Sequence, residues 1–504
     1  MDSQRFRFVA LSSSFLFLLA ALGCGGGSGS TPKQPTTPPP AVVPLTQLST
    51  DTFTNSTSQH ETEVEAHAWS NGSTIVSAFQ VARIFSGGGA DIGFATSTDG
   101  GTTWTHGSLP GITTFDGGSF SAASDAAVAY DASHAVWMIS TLPINSSTDK
   151  VAVSTSSDGL NWGNPVIVST TPDSDKNWVA CDSNASSPFY GHCYVEWDDP
   201  SNSGIIFMST STDGGQTWGA ARTTLGLASG IGGQPVVQPN GNVVVPIEDF
   251  NGASIISFMS TDGGNTWGAP VTVSTITDHL VAGNLRTSPL PAAAGDASGT
   301  VYVVWQDCRF RTACASNDLI FSSSTNGTIW TTPARVPIDA INSTADYFIP
   351  GLAVDPATSG SGAHLGLTYY FYSNANCTAS TCALNVGFIS SLDGGTTWTS
   401  PTTLAGPMTP TWLPNTFAGL MVGDYSSTTY SGGKAFSVFA LAGSNAGMVF
   451  DEPIFANTNG FSAEQGVAIR TSVGELPVPG AHSDHGPRKF ADQEHRIPRV
   501  PPEE

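Results

Sequence analysis

The sequence predicts an all-β chain assembled from repeated four-stranded sheets. Three observations carry that prediction. Only 11% of the 504 residues are charged while glycine alone counts 55, a balance that suits short strands and tight turns better than amphipathic helices. Short segments such as VYVVW (301–305) and LIFSS (319–323) alternate in the manner of strands. One string returns along the chain: STDGGTTW at 97–104, STDGGQTW at 211–218, STDGGNTW at 260–267 and SLDGGTTW at 391–398. Shorter forms stand at 156–162 (SSDGLNW) and 324–330 (STNGTIW). A spacing of roughly 50–65 residues is that of radially repeated sheets, the β-propeller arrangement.

The N-terminus carries Arg5 and Arg7 ahead of an apolar run, 8–22. This is the pattern of a secretory signal, too short for a confident membrane span. The run ends in Ala21-Leu22-Gly23-Cys24, which resembles a bacterial lipobox and implies cleavage after residue 23 and lipidation of Cys24. Residues 24–45 then read as a flexible Gly/Ser and Pro-rich linker. The propeller is expected over 46–460, and 461–504, rich in Pro, His and charge, reads as a disordered tail. With Cys24 set aside, six cysteines remain in close pairs: Cys181 with Cys193, Cys308 with Cys314, Cys377 with Cys382. Local pairing in an exported chain reads as disulfides. No Cys/His spacing suits zinc, and no metal or other cofactor is expected. The net charge of −23 argues against a nucleic-acid partner, because phosphate binding needs clustered cations.

Counting first strands gives seven repeats. They are ETEVEAHAW from Glu61, SDAAVAYD from Ser124, DKNWVACD from Asp175, GQPVVQPNG from Gly233, RTSPLPAA from Arg286, YFIPGLAVD from Tyr347 and FAGLMVGDY from Phe417. Six of the seven carry the recurring string. The segment 44–49 (PLTQLS) is expected to add the outer strand of the last repeat and so close the ring. A six-bladed ring with an extra C-terminal hairpin is the alternative.

In the recurring string each residue has a local structural task. Asp99, Asp158, Asp213, Asp262, Asn326 and Asp393 accept backbone N–H groups of the turn. The glycines take positive φ. Trp104, Trp162, Trp218, Trp267, Trp330 and Trp398 start the outer strand and lie between blades. A calcium site is the competing reading, but each copy brings one carboxylate at most, and Ca²⁺ takes six to eight oxygens.

The S-x-D-x-G-x-x-W pattern resembles the Asp boxes, or BNR repeats, of the sialidase superfamily, over roughly 61–455. DKNWVACD, VVWQDCRFR and FIPGLAVD strengthen the likeness to bacterial sialidase-like proteins. The resemblance implies a propeller whose boxes lie on the rim and whose chemistry lies in a central funnel. It implies an exo-α-sialidase-like glycoside hydrolase acting on terminal acidic sugars. A non-catalytic propeller that binds glycan or a surface protein is the alternative. In the family three arginines clamp the substrate carboxylate, a glutamate-activated tyrosine is the nucleophile, and an aspartate is the acid/base. Here the first box lacks an upstream RIP motif, and the only RIP string, at Arg496, lies in the tail. The best clamp is Arg286 with Arg309 and Arg83, and Arg311 in reserve. Tyr347 and Tyr425 are the candidate nucleophiles. Glu61, Glu63 and Asp346, with Asp125 and Asp424, are the candidate acids and bases. The expected molecule is a monomer, exported to the bacterial envelope and attached to the membrane only through Cys24.

Overall fold

The computed structural model describes residues 43–470, apart from 147, 170, 172, 446–448 and 463–468. The signal segment, Cys24, most of the linker and the tail beyond 470 lie outside the described residues. Within them the chain is all-β, made of small antiparallel sheets with only short 3-10 turns between.

Antiparallel strand units, each led by its own first strand, follow one another along the chain. The first holds Glu63–Asn71, Thr74–Arg83, Gly89–Ser97 and Thr105–Ser108, and the second begins with Ala122–Asp131. One residue pair, Gly89 with Ala123, joins these two into a larger sheet. The third begins with Asp175–Cys181. The fourth is led by Gly230–Ile231 and Val236–Val237, the fifth by Ala292–Gly295 and the sixth by Asp346–Val354. The seventh starts with Ser427–Ser431 and continues through Lys434–Ala440 and Ile454–Asn457. Its outer strand is the N-terminal Leu45–Gln47, antiparallel to Ile454–Asn457 with Leu45 opposite Asn457. The first strand of each repeat lies against that of the next, and the seventh lies against the first.

In the fifth repeat the first strand begins at Ala292, later than the RTSPLPAA reading places it. Pro289 and Pro291 lack the N–H that a ladder requires, so the ladder starts beyond them. Arg286 therefore stands on a separate segment, its N–H donated to the Leu420 carbonyl at 2.8 Å.

The turns share one hydrogen-bond pattern. Ser97 Oγ donates to Asp99 Oδ1 at 2.8 Å and accepts the Gly101 N–H at 2.8 Å. Asp99 also accepts the Thr103 N–H at 2.9 Å and the Thr103 hydroxyl at 2.7 Å. These bonds, led by those from Thr103, pull the Asp99 carboxyl down to about 2. Asp213, Asp262 and Asp393 hold Thr217, Thr266 and Thr397 in the same way. In the shorter turns Asp158 accepts from Asn161, and Asn326 from Ile329. Two glycines per full turn have positive φ, 71° and 84° at Gly100 and Gly101.

The second of those glycines is needed for a further reason. A Cβ on Gly101 would meet Phe436 of the seventh repeat at 2.3 Å. One on Gly264 would meet Tyr194 of the third repeat, and one on Gly395 would meet Phe321 of the fifth. Each such turn packs on the preceding repeat. The tryptophans do the same: Trp162 lies 5.9 Å from Phe94, Trp267 6.1 Å from Tyr194 and Trp398 5.8 Å from Phe321, while Trp330 donates to Ser257 Oγ. Trp104 and Trp218 are half-buried against apolar clusters. The cores accordingly lie between sheets, as in Val76, Ile92, Val128 and Ile139.

All three disulfides form: Cys181–Cys193, Cys308–Cys314 and Cys377–Cys382. They span 12, 6 and 5 residues, so each stiffens its own loop.

The turn geometry makes a prediction. Ser97→Ala removes one buried acceptor and one donor and should cost about 1–2 kcal/mol, measured as a shift of the urea midpoint. A chelator should leave the wild-type midpoint unmoved, because the carboxylate is satisfied by the turn itself. A midpoint that rises with calcium would restore the metal reading.

Candidate functional site

The strongest concentration of buried charge lies where the first strands meet. Lys176 Nζ stands 2.5 Å from Asp424 Oδ2 and 3.7 Å from both Glu65 Oε1 and Asp125 Oδ2. Arg286 closes on the same Asp424 with two bonds, Nε to Oδ1 at 2.8 Å and Nη2 to Oδ2 at 2.5 Å. All five residues are less than one-tenth exposed.

Local backbone geometry sends these side chains inward. The first strands of repeats one, two, three and six are each interrupted by a register shift. Within each shift sits a non-glycine residue of positive φ: Glu65 at 58°, Asp125 at 49°, Lys176 at 47° and Ile349 at 51°. A bulge of this kind re-aims a side chain. A left-handed conformation costs a non-glycine residue on the order of 1–3 kcal/mol, and here it recurs at equivalent places. Three of the four carry charge.

The environments of the two neighbouring carboxyls differ. Burial, with the Asp125 charge beside it, pushes Glu65 well above the ordinary carboxyl range, and Lys176 only partly opposes this. Glu65 also accepts from the Gln80 amide, which donates to Ser124 Oγ at 2.9 Å, and Ser124 donates to Asp125 Oδ1 at 2.8 Å. Burial alone would raise Asp424 as well. The Arg286 and Lys176 cations outweigh it and hold Asp424 far below the usual range. The same cluster thus favours the protonated form of one carboxyl and the ionised form of the other.

Two cavities flank the cluster and share Asp125 and Lys176. One is lined by Trp178, Tyr425, Asn177, Leu290 and Pro350. The other, a polar cleft, is lined by Arg83, Arg286, Gln80, Ser124 and Glu65. Trp178 packs against His67 at 4.4 Å and Tyr425 at 5.3 Å. Burial lowers His67 to about 3 and keeps it neutral; its Nδ1 accepts the Val128 N–H.

Of the sequence-predicted clamp, the structure brings together Arg286 and Arg83 on one cleft. Arg83 donates to the Gly88 carbonyl at 2.5 Å and lies 3.2 Å from Met421 Sδ. Arg309 is elsewhere: it pairs with Asp307 at 2.7 Å and donates to the Thr275 carbonyl, tying its own loop beside the Cys308–Cys314 bridge. Arg311 is buried between Asp318 and Asp339. Three converging arginines are therefore not assembled, because two of the four candidates pair locally.

Tyr347 also stands apart. Its hydroxyl donates to Asp339 Oδ2 at 3.0 Å, and its ring packs on Tyr369 and Phe371. Tyr425 does line the centre, but its hydroxyl donates to the Ala126 carbonyl at 3.1 Å, and burial raises it well above the ordinary phenol range. That is the opposite of an activated nucleophile. Glu63 points to the seam with the N-terminal segment, where Ser49 Oγ donates to it at 3.0 Å. The Glu61 carbonyl accepts the Glu452 N–H in that region. Asp346 accepts the Asn317 N–H at 2.7 Å and meets His279 at 3.2 Å, joining loops outside the cluster. Sequence reasoning missed Glu65 and Lys176. The signal was the shared shape of VEAH, SDAA and DKNW at matching points of three first strands.

The Glu65 displacement has a consequence for stability. A carboxyl raised in the fold contributes stability that is complete below its unfolded value of about 4.3 and is lost as pH rises through the folded value. Asp424 acts oppositely, its contribution being lost as pH falls below about 3.9. Thermal unfolding should show wild-type stability declining from mildly acidic to alkaline pH, with a smaller decline in Glu65→Gln. An identical pH profile in both proteins would contradict the assignment.

No protein-family model matches the sequence, and no curated protein matches it. Solved structures do resemble the chain at low identity. The Hadza microbial sialidase Hz136 is 14% identical, with a TM-score of 0.41 over 79% of this chain and 66% of that one. The chain thus spans just under two thirds of that sialidase. NanB sialidase from Streptococcus pneumoniae is 11% identical, with a TM-score of 0.42 over 83% of this chain and 70% of that one. An α-L-arabinanase of Penicillium chrysogenum is 14% identical, with a TM-score of 0.41 over 68% and 94%.

Proposed function

We propose that this protein is an exported, sialidase-like β-propeller of seven blades whose centre is a glycoside-hydrolase site worked by carboxyl groups. The order of the first strands, the last lying on the first, supports the seven-bladed ring. The three disulfides fit an oxidising compartment. Cys24 is the proposed lipid attachment, which would hold the domain to the bacterial envelope by a Gly/Ser/Pro linker.

One observation carries the catalytic reading. Within a single cluster burial raises Glu65 well above the ordinary carboxyl range, while Asp125, on the wall of both cavities, presents an Oδ2 that accepts no hydrogen bond among the described residues. Glycoside hydrolysis needs a carboxylic acid to protonate the departing oxygen and a carboxylate on the other side of the anomeric carbon. Glu65 is assigned the first role and Asp125 the second. Lys176 and Asp424 are positioning groups: the ammonium holds the carboxyls together, and Asp424 holds the ammonium. The tyrosine mechanism of sialidases finds less support, since Tyr425 is spent on a backbone carbonyl and Arg309 lies on another loop.

A non-catalytic glycan- or protein-binding propeller is the second reading. The closed Arg286–Asp424 pair favours it, because a guanidinium already matched bidentately has little left for a substrate carboxylate. Hydrolysis of a panel of fluorogenic glycosides, a sialoside included, separates the two. The expected result is turnover of at least one glycoside by wild type, with kcat reduced by about 10²–10⁴-fold in Glu65→Gln and Asp125→Asn. Absence of wild-type turnover on every substrate would leave the binding reading. Undiminished turnover in the variants would remove these residues from the mechanism.

A further inference from the structure

Three buried side-chain oxygens at the centre accept no hydrogen bond among the described residues: Asp125 Oδ2, Gln80 Oε1 and Asn177 Oδ1. Their residues are 3%, 1% and 1% exposed. Asp125 and Gln80 line the polar cleft, and Asp125 and Asn177 line the aromatic cavity. The donors of the same amides are engaged, Asn177 Nδ2 on Ser140 Oγ at 2.7 Å and Gln80 Nε2 on Glu65 and Ser124. Such an acceptor is costly unless a donor reaches it, and Asp125 Oδ2 has only the Lys176 ammonium at 3.7 Å.

We infer that the aromatic cavity takes an uncharged, hydroxyl-rich sugar, which donates hydroxyl hydrogen bonds to Asp125 and Asn177 while a ring face rests on Trp178. The inference rests on the carbohydrate reading above and specifies its substrate class. An anionic sugar is disfavoured because the waiting groups are acceptors. The cations that would receive a carboxylate are already turned elsewhere, Arg286 and Lys176 to Asp424 and Arg83 to the Gly88 carbonyl. A metal or ammonium ion is disfavoured because Lys176 Nζ stands 3.7 Å from Asp125 Oδ2. Among the described residues no group of three or more acidic, His or Cys side chains is arranged to hold a metal. An apolar ligand would leave the Asp125 and Asn177 oxygens unmet. A neutral polyol satisfies the donor count without adding charge, and the indole beside Tyr425 offers it a flat apolar wall.

Isothermal titration of the purified protein tests this with methyl glycosides of neutral hexoses and pentoses, with N-acetylneuraminic acid and with calcium chloride. At least one neutral glycoside should bind, more tightly than N-acetylneuraminic acid. Asn177→Leu should weaken it about tenfold, and Asn177→Ser provides the same test should the larger change disturb folding. Leu225→Ala, on a residue 72% exposed, should leave binding unchanged. Preferential binding of N-acetylneuraminic acid, calcium binding abolished by Asp125→Asn, or no binding of any neutral sugar would each overturn the inference. Binding of a neutral glycoside without its hydrolysis would support the inference and remove the catalytic reading, so the two fail separately.

Discussion

The ammonium of Lys176 is the contact on which the centre of the molecule depends. It stands among carboxyls contributed by the first repeat, the second repeat and the segment before the seventh. Without it Glu65, Asp125 and Asp424 would face one another with only Arg286 to offset them. Such burial is not favoured for stability alone, since the desolvation of buried ions roughly cancels their attraction. The backbone adds further cost, because Glu65, Asp125 and Lys176 all sit at positive φ. Strain and buried charge coincide here at one place, beside two cavities.

The recurring turns are built on the opposite principle. There the repeated Ser, Asp and Thr satisfy one another within each turn, and glycine lets the turn press on its neighbour. Gly101 against Phe436 makes the point sharply: the first repeat's turn closes on the seventh repeat. Satisfied, local geometry holds the sheets in order, while buried charge and unmet acceptors collect where their first strands meet.

This contrast explains what could be read in the sequence. The all-β class and the three cysteine pairs rest on local signals, and local signals survive without coordinates. Arg286, Arg83 and Tyr425 were reached through likeness to a family, and all three line the central cavities. Glu65 and Lys176 were not. Strict alternation along ETEVEAHAW puts Glu61, Glu63 and Glu65 on one face, but the register shift between Val64 and His67 breaks that alternation, leaving Glu63 on Ser49 and Glu65 beside Lys176. The same shift in DKNW turns Lys176. A bulge depends on how neighbouring strands pair, so a period of two cannot reveal it. Arg309 misled for a different reason: its resemblance to Arg83 was positional, and an adjacent Asp307 captures it.

Around Lys176 one cluster raises Glu65 and lowers Asp424. Site-resolved carboxyl carbon-13 NMR titration measures this directly. Glu65 should remain protonated at a pH well above about 4.3, while Asp424 should remain ionised at a pH below about 3.9. Ordinary titration of both groups, together and near those reference values, would contradict it.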